Sequence, residues 1–254
     1  MNFSEDVTVV LNGFKRSKHF KTQLEAIKNQ TVEPKEIMLW QNHAESFSSR
    51  LVKQTTHASC NKNLGVWARF AYALNATTEF VCVFDDDTIP GKRWLENCLT
   101  TIKTSNGLLG TIGVNFKTHT AYLPIERHGW ANPNEKTVQV DIVGHSWFFR
   151  REWLSAFWRE LPDLNLSKLV GEDMHFSYTL KKYLGLNTYV PPHPIHDKSM
   201  WGSEPDSAWK IGQDKSAISM NSSNMEIMSA TYVDYIKKGF NPDNYEKSIS
   251  KHNQ

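Results

Sequence analysis

The sequence predicts an α/β fold, a mixed and mainly parallel sheet flanked by helices within a single domain. Three observations carry that expectation. Short apolar runs alternate with a helix-period segment: Val7-Thr8-Val9-Val10-Leu11, then residues 19–29, then Glu36-Ile37-Met38-Leu39-Trp40. Two strands joined through a helix lie parallel, with a right-handed crossover. Phe80-Val81-Cys82-Val83-Phe84 is apolar without a break, as a fully buried strand is. Polar clusters recur where such runs stop, and in open α/β sheets ligands sit outside the carboxyl ends of the strands.

The first strand ends in Asn12-Gly13, a tight-turn signal, and a basic loop follows, Phe14-Lys15-Arg16-Ser17-Lys18. Within residues 19–29, Phe20, Leu24 and Ile27 stand at i, i+4 and i+7 on one helix face. The second strand runs into Gln41-Asn42, and residues 43–62 are polar and poorly patterned, a loop with one short strand. Asn63-Leu64-Gly65 opens a helix over residues 66–74 that carries Arg69. Beyond the strand at 80–84, Pro90-Gly91 starts a helix with Trp94, Leu95, Cys98 and Ile102 on one face. Residues 108–114 and 138–144 read as strands, with a long loop over 117–136 between them and a helix over about 152–159 after them. Gly171-Glu172-Asp173 opens a helix through Tyr183, which Gly185 ends. A strand over 186–190 is closed by Pro191-Pro192-His193-Pro194-Ile195-His196-Asp197. Residues 198–224 read as a mobile loop, 225–240 as a helix and the last dozen as a frayed tail.

Composition narrows the classes. A chain of 254 residues, 39% hydrophobic and 22% charged, is ordinary for a soluble globular protein. A formal net charge of +2 without a long basic run argues against a nucleic-acid partner. Three cysteines, Cys60, Cys82 and Cys98, form no CxxC and predict neither a disulfide framework nor a zinc site. The first residues lack a basic and an apolar signal region, and no apolar run approaches the roughly 20 residues that span a bilayer. A cytoplasmic, reducing setting is the expectation, with peripheral membrane contact left open. Nine Trp and 12% aromatic residues suit sugar and base faces, although aromatics more often build cores.

Asp85, Asp86 and Asp87 carry the strongest chemical signal. Three carboxylates behind a buried strand repel one another, and a divalent cation relieves them most simply. Their hard oxygens suit Mn²⁺ or Mg²⁺. A merely solvated acidic turn would fit one Asp better than three. Arg16 and Arg69 suit diphosphate oxygens, which a guanidinium holds bidentately, although each alone reads as a surface charge. Glu172 and Asp173 open a helix, where the macrodipole favours acids as caps. Near an acidic metal site either would also serve as a general base. His193 and His196 flank Pro194, and the His196 imidazole would complete a Mn²⁺ shell if it returns to the acidic edge.

Taken together, the strand ending in Asn12-Gly13, the Asn63-x-Gly65-x-x-Ala68-Arg69 segment, the Asp85-Asp86-Asp87 triplet and the later Gly171-Glu172-Asp173 resemble the GT-A (Rossmann-like) glycosyltransferases. The order is similar to family 2. Asp85 to Thr88, Gly144 to Phe148 and Glu172-Asp173 are also similar to the exostosin-like family 64. The resemblance covers roughly residues 7–197. It implies that residues 1–240 form the transferase domain, with a nucleotide-binding half to about residue 105 and an acceptor half beyond it, and that 241–254 are a tail. It implies a sugar moved from a nucleotide diphosphate sugar, with UDP favoured, to a hydroxyl acceptor such as a glycan. Asn12, Arg16 and Asn42 would face the base and ribose, and Arg69 the diphosphate or donor sugar. Asp85 and Asp86 would hold ribose and sugar, while Asp87, with Asp85 and His196, would hold Mn²⁺ (or Mg²⁺). Gly144, His145 and Trp147 would line the acceptor or sugar pocket. Asp173, with Glu172 beside it, would take the acceptor's proton in an inverting enzyme or steady an oxocarbenium-like species in a retaining one. Beyond the stretch that the resemblance covers, the 198–224 loop with Trp201, Trp209, Lys210 and Lys215 would close over the donor, although an ordinary surface loop reads more simply.

Two departures matter. Asn12-Gly13 stands where many family 2 members carry an acid, and the QxxRW motif of processive synthases is missing. Rival readings stay open at this point. A haloacid-dehalogenase-like Mg²⁺ phosphohydrolase also places acids after an apolar strand, but that motif normally opens its fold, and here a complete βαβ unit precedes it. A sugar nucleotidyltransferase would need a glycine-rich basic loop after the first strand. A non-catalytic sugar-binding module would keep the aromatics without needing both acidic segments.

Overall fold

The computed structural model describes residues 5–43, 47–164, 168–204 and 222–242. Its strands are β1 (Val7–Gly13), β2 (Glu36–Asn42), β3 (Thr56–Cys60), β4 (Phe80–Phe84), β5 (Gly107–Phe116), β6 (Ile125–Gly129), β7 (Val138–Val140), β8 (Ile142–Arg150) and β9 (Asn187–Val190). Its helices are α1 (Phe20–Lys28), α2 (Ser49–Val52), α3 (Ala68–Tyr72), α4 (Trp94–Thr104), α5 (Leu154–Phe157), α6 (Glu172–Leu184) and α7 (Ser222–Lys237). The strands form one mixed sheet in the order β3-β2-β1-β4-β8-β5-β9-β7, with β6 paired to β5.

The N-terminal half is parallel because each strand reaches the next through a crossover. β1 pairs with β2 and with β4, and β2 with β3, all parallel. β1 sits centrally, with Val7, Val9, Val10 and Leu11 wholly buried, and every residue of β4 is buried as its unbroken apolar sequence requires. Leu11 lies beside both Leu39 and Phe84. Three strands therefore stop at one level, and Asn12, Gln41-Asn42 and Asp85 emerge along a single edge.

The C-terminal half inserts β8 antiparallel between β4 and β5. The register sets Phe84 opposite Ser146, so the next residues, Asp85 and His145, face each other, and the Asp85 N–H donates to the His145 carbonyl at 3.0 Å. One hydrophobic cluster joins β1, β4 and β8 to α1, α3, α4, α5 and α6. A second joins the far end of β5 to α6 and α7 through Ile112, Phe116, Met174, Tyr178 and Tyr232.

Several elements differ from expectation. The loop expected over 117–136 contains β6, whose residues pair with the distal half of β5 and so complete its backbone bonding. The single strand expected over 138–144 is two, broken at Asp141, whose carboxylate turns back to accept from the Phe116 N–H at 2.8 Å. β8 then runs on to Arg150, through residues read as following the strand. The helix over 66–74 is only α3 followed by a 3-10 turn (Ala73–Asn75), and that over 152–159 is a 3-10 turn (Arg151–Trp153) followed by α5. Residues 198–204, expected as mobile loop, are strapped to the connection between β4 and α4. Gly91 N–H donates to Trp201 O at 2.9 Å, Arg93 N–H to Ser199 O at 2.7 Å and Glu204 N–H to Ile89 O at 2.8 Å, and Trp201 is buried. The rest of that loop through 221, including Trp209, and the tail from 243 lie outside the described residues. Among the described residues no helix is long and apolar enough to cross a membrane.

Candidate active site

The three acids at the end of β4 point to three different partners. Asp86 turns toward the β1 loop, accepting from the Phe14 N–H at 3.1 Å and from Arg16 Nη1 at 2.7 Å. Asp85 meets Arg69 from α3. Asp87 faces His145 Nδ1 at 3.7 Å and Arg16 Nη1 at 3.3 Å. The loop that carries them is held from below by Gln23, a buried residue on the apolar face of α1. Its Nε2 donates to Asp85 O at 2.6 Å and Thr88 O at 2.9 Å. Thr88 Oγ1 adds a bond to His145 O at 3.1 Å. These bonds fix where the carboxylates emerge before any ligand arrives.

Their electrostatics differ accordingly. Burial, and then the charge of Asp87, push the Asp86 carboxyl up to about 7 against the pull of Arg16. Burial works to raise Asp87 too, but His145 and Arg16 outweigh it and hold that carboxyl below its usual range. Burial works to lower His145, and Asp87 and then Asp85 overcome it, so the imidazole is raised.

Arg69 is the hub. It is buried, and burial alone would lower it, but Asp85 and Glu172 outweigh that and keep it charged. One guanidinium nitrogen reaches Asp85 and another reaches Glu172 Oε1 at 2.6 Å. The guanidinium lies 4.5 Å from the Trp147 ring centroid, a cation–π contact. Gly65 makes this possible. Its φ is +77°, and a Cβ there would fall 2.0 Å from the Lys168 carbonyl, so only glycine lets the chain before α3 touch the segment leading into α6.

Glu172 and Asp173 occupy the first turn of α6. Burial is the largest influence on Glu172 and pushes it up to about 8, against Arg69 and with the help of Asp173 and Asp85. Burial also pushes Asp173 up to about 6, although its Oδ1 accepts from the Met174 N–H at 2.7 Å. Asp173 is the more exposed of the two.

Comparisons with known proteins bear on the fold. No family model matches the chain, and no curated protein is similar to it in sequence. Among solved structures, TarS residues 1–349 from S. aureus in complex with UDP is similar over 74% of this chain, at 18% identity and a TM-score of 0.54. The same protein in complex with UDP-GlcNAc is similar over 76% of this chain, at 16% identity and a TM-score of 0.51. This is a GT-A fold. The chain spans 58% and 60% of the two TarS chains it matches. A GT-A fold leaves no place for the dehalogenase-like architecture.

Within the GT-A fold most of the expected residues converge. Arg16, Arg69, Asp85, Asp86, Asp87, His145, Trp147, Glu172 and Asp173 form one connected cluster. Asn12 sits half-buried at the end of β1, in register one step beyond Leu11. Gly144 lies in β8 with open space over its Cα. Asn42 is buried in a bracing role, donating to Asn63 Oδ1 at 3.0 Å and Gly65 O at 3.2 Å and accepting from the Leu64 N–H at 2.8 Å. Trp147 lies buried beneath Arg69, so it supports the pocket from below and does not line it.

His196 is the correction. It stands exposed in a turn beyond β9. The group able to hold a metal ion among the described residues is Asp85, Asp87 and His145, whose ligating atoms all lie within 4.8 Å of one another. His193 is buried, held by Pro191 O at 2.9 Å and by the Gly202 N–H at 3.1 Å, and burial pushes it down to about 4. The site fits a divalent cation. Two carboxylates and an imidazole are a suitable donor set, and His145 Nδ1 is buried without a hydrogen-bond partner. Sequence reasoning missed Gln23, whose signal was a polar residue among Phe20, Leu24 and Ile27 on the buried helix face. It placed His145 at a sugar pocket, because only the long-range register of β8 brings it opposite Asp85.

Proposed function

We propose that the chain is a glycosyltransferase that moves a hexosyl or N-acetylhexosaminyl group from a UDP-sugar to a hydroxyl of a glycan or similar acceptor. The observation that carries this reading is Arg69. It ties the carboxylate cluster at the end of β4 to the acidic pair that opens α6, so a metal-and-diphosphate site and a proton acceptor share one crevice. TarS, whose fold is similar, is seen with UDP and with UDP-GlcNAc, and this supports uridine at the donor site.

Asp85, Asp87 and His145 would hold the divalent cation, Mn²⁺ or Mg²⁺. When bound, it would neutralise the diphosphate and ease its departure. Arg16 is paired with Asp86 and lies at the mouth of the β1 loop, where its guanidinium serves the nucleotide phosphates. Asn12 borders the base and ribose at the same sheet edge.

Asp173 is the general base. It is the less buried acid, and its carboxyl, pushed up to about 6, is ionised at neutral pH yet basic enough to accept a proton. Glu172 is engaged by Arg69 and serves to position it. The acceptor oxygen attacks the anomeric carbon, its proton passes to Asp173, and the bond from that carbon to the diphosphate oxygen breaks, inverting the configuration.

Titration calorimetry of UDP, UDP-glucose, UDP-GlcNAc and GDP-mannose, with and without Mn²⁺, tests the reading. Uridine nucleotides are expected to bind only with metal. Failure of every nucleotide to bind in the presence of metal would remove the transferase reading.

A further inference from the structure

The hairpin arm that ends in Trp130 lies outside the donor machinery, yet it borders the same crevice. Ile125, Arg127 and Gly129 of β6 stand opposite Phe116, Val114 and Ile112 of β5, and opposite residues of an antiparallel pair share a face. That face carries the second hydrophobic cluster, which includes Met174, the neighbour of Asp173. Arg127 therefore lies on the side of the sheet where α6 presents the proposed base.

Gly129 turns the arm inward. Its φ is +102°, and a Cβ there would lie 2.1 Å from the Thr111 carbonyl, so no other residue lets β6 press this closely on β5. Trp130, the next residue, is half-buried and meets the His145 ring edge-on, with centroids 5.9 Å apart and planes at 88°. The connection that leads into the arm is pinned by α7. Tyr232 donates to Thr118 O at 2.7 Å, and Ser229 Oγ accepts from the Tyr122 N–H at 3.3 Å.

Arg127 is an exposed cation on this arm. The neighbouring Glu126 is taken by Lys117 and stands 3.7 Å from His128, and among the described residues the Arg127 guanidinium forms no ion pair. Its charge is felt within the crevice. Burial first, and then Asp173, hold the Tyr122 phenol up while Arg127 opposes them. A half-buried aromatic ring and an exposed guanidinium on one arm match a sugar ring that carries an anion.

We propose that the β6 arm is the acceptor subsite and that the acceptor is a negatively charged sugar, its ring on Trp130 and its carboxylate or phosphate on Arg127. The proposal rests on the transferase reading. Its test is equilibrium binding of methyl glucoside, methyl glucuronide and glucose 6-phosphate to the protein saturated with UDP and Mn²⁺. Wild type is expected to bind the charged probes at least about tenfold more tightly than the neutral one, the range of a charge-assisted hydrogen bond. The better of the two charged probes says whether a carboxylate or a phosphate is preferred. Arg127→Gln should abolish the preference, Arg127→Lys should keep most of it, and Trp130→Ala should weaken all three probes. Equal binding of charged and neutral probes by wild type overturns the proposal. So does a preference that survives Arg127→Gln, or a loss of UDP affinity in that variant, which would place Arg127 on the donor phosphates. Absence of UDP binding to wild type would fail the transferase reading itself and this proposal with it.

Discussion

Arg69 and Glu172, 103 residues apart in the chain, are joined by an ion pair of 2.6 Å that is buried on both sides. The same guanidinium also holds Asp85. When Glu172 is ionised, two carboxylates on one buried cation leave a negative charge to be balanced, and a ligand cation at Asp85 and Asp87 would balance it. The pair thus links the residue that opens α6 to the acids that close β4, and a displacement of either is felt by the other.

Replacing Arg69 should show this coupling. Arg69→Met leaves the buried Glu172 and the half-buried Asp85 without their cation, and breaking the buried pair in this way costs about 3–5 kcal/mol. Protonation relieves Glu172, so the loss should be largest above pH 8 and smaller near pH 5. Arg69→Lys keeps the charge but cannot bridge two acceptors with a planar fork. It should fold nearly normally and lose about 10²-fold in kcat/KM, as a misplaced catalytic group does. Denaturant titrations at the two pH values, with steady-state kinetics for the lysine variant, measure both effects. A loss in Arg69→Met that does not vary with pH would contradict the shared-cation account.

Asp173→Asn should separate binding from turnover. UDP and Mn²⁺ should bind the variant as they bind wild type, while transfer falls by about 10²–10⁴, the range of general-base loss. In wild type the carboxyl must be ionised, so kcat/KM should rise with pH through about 6 and then level. The stability effect has the opposite sign. A carboxyl raised from 3.8 to about 6 contributes stability that is fully present below 3.8 and lost as pH rises through 6. Asp173→Asn should therefore stabilise the metal-free protein by roughly 1–3 kcal/mol at pH 8 and by almost nothing near pH 4. Melting curves across that range give the result, and a destabilised variant at pH 8 would speak against a strained, buried base.

The ligand set can be decided by two histidines. His145→Ala should weaken Mn²⁺ binding about 10–100-fold, in line with removal of a directly or closely involved ligand. His196→Ala should leave it unchanged, because His196 stands exposed in its turn. Titration of Mn²⁺ in the presence of UDP, followed by water-proton relaxation, reports both. The reverse order of effects would restore His196 as the ligand.

Much of this site was legible in the sequence where the signal is local. The acidic triplet follows an apolar run long enough to name its strand, and α1, α4 and α6 carry their periods and stops openly. Asn12, Gln41-Asn42 and Asp85 could be assigned to one edge because parallel strands end together, with Arg69 on a helix that begins near it. What the sequence hid is direction and partner. Nothing in Val-Gly-His-Ser-Trp-Phe-Phe-Arg says that β8 runs antiparallel beside β4, and only that register, Phe84 to Ser146, makes His145 a neighbour of Asp87. The residues of β6 are too polar to read as a strand, because one of its faces borders the crevice and its edge is satisfied by β5. Asn42 misled for a related reason. A polar residue at a strand end can serve a ligand or brace the next loop, and here it grips Asn63 to Gly65.

Gln23 offers the last test, because its position joins packing to function. It is buried on a helix face otherwise built from Phe20, Leu24 and Ile27, and its one amide group supports both ends of the acidic loop. Gln23→Leu fills the same space but removes the donor from Asp85 O and Thr88 O. Leaving buried carbonyls short of a donor costs about 1–3 kcal/mol. The loop would then be free to spread, so Mn²⁺ affinity in the presence of UDP should fall by about tenfold, as losses of ligand-orienting groups do. Urea denaturation measures the first quantity and metal titration the second. If stability drops while metal affinity holds, Gln23 only fills the core, and the preorganisation of Asp85 and Asp87 must come from β8 through the Thr88 and His145 contacts.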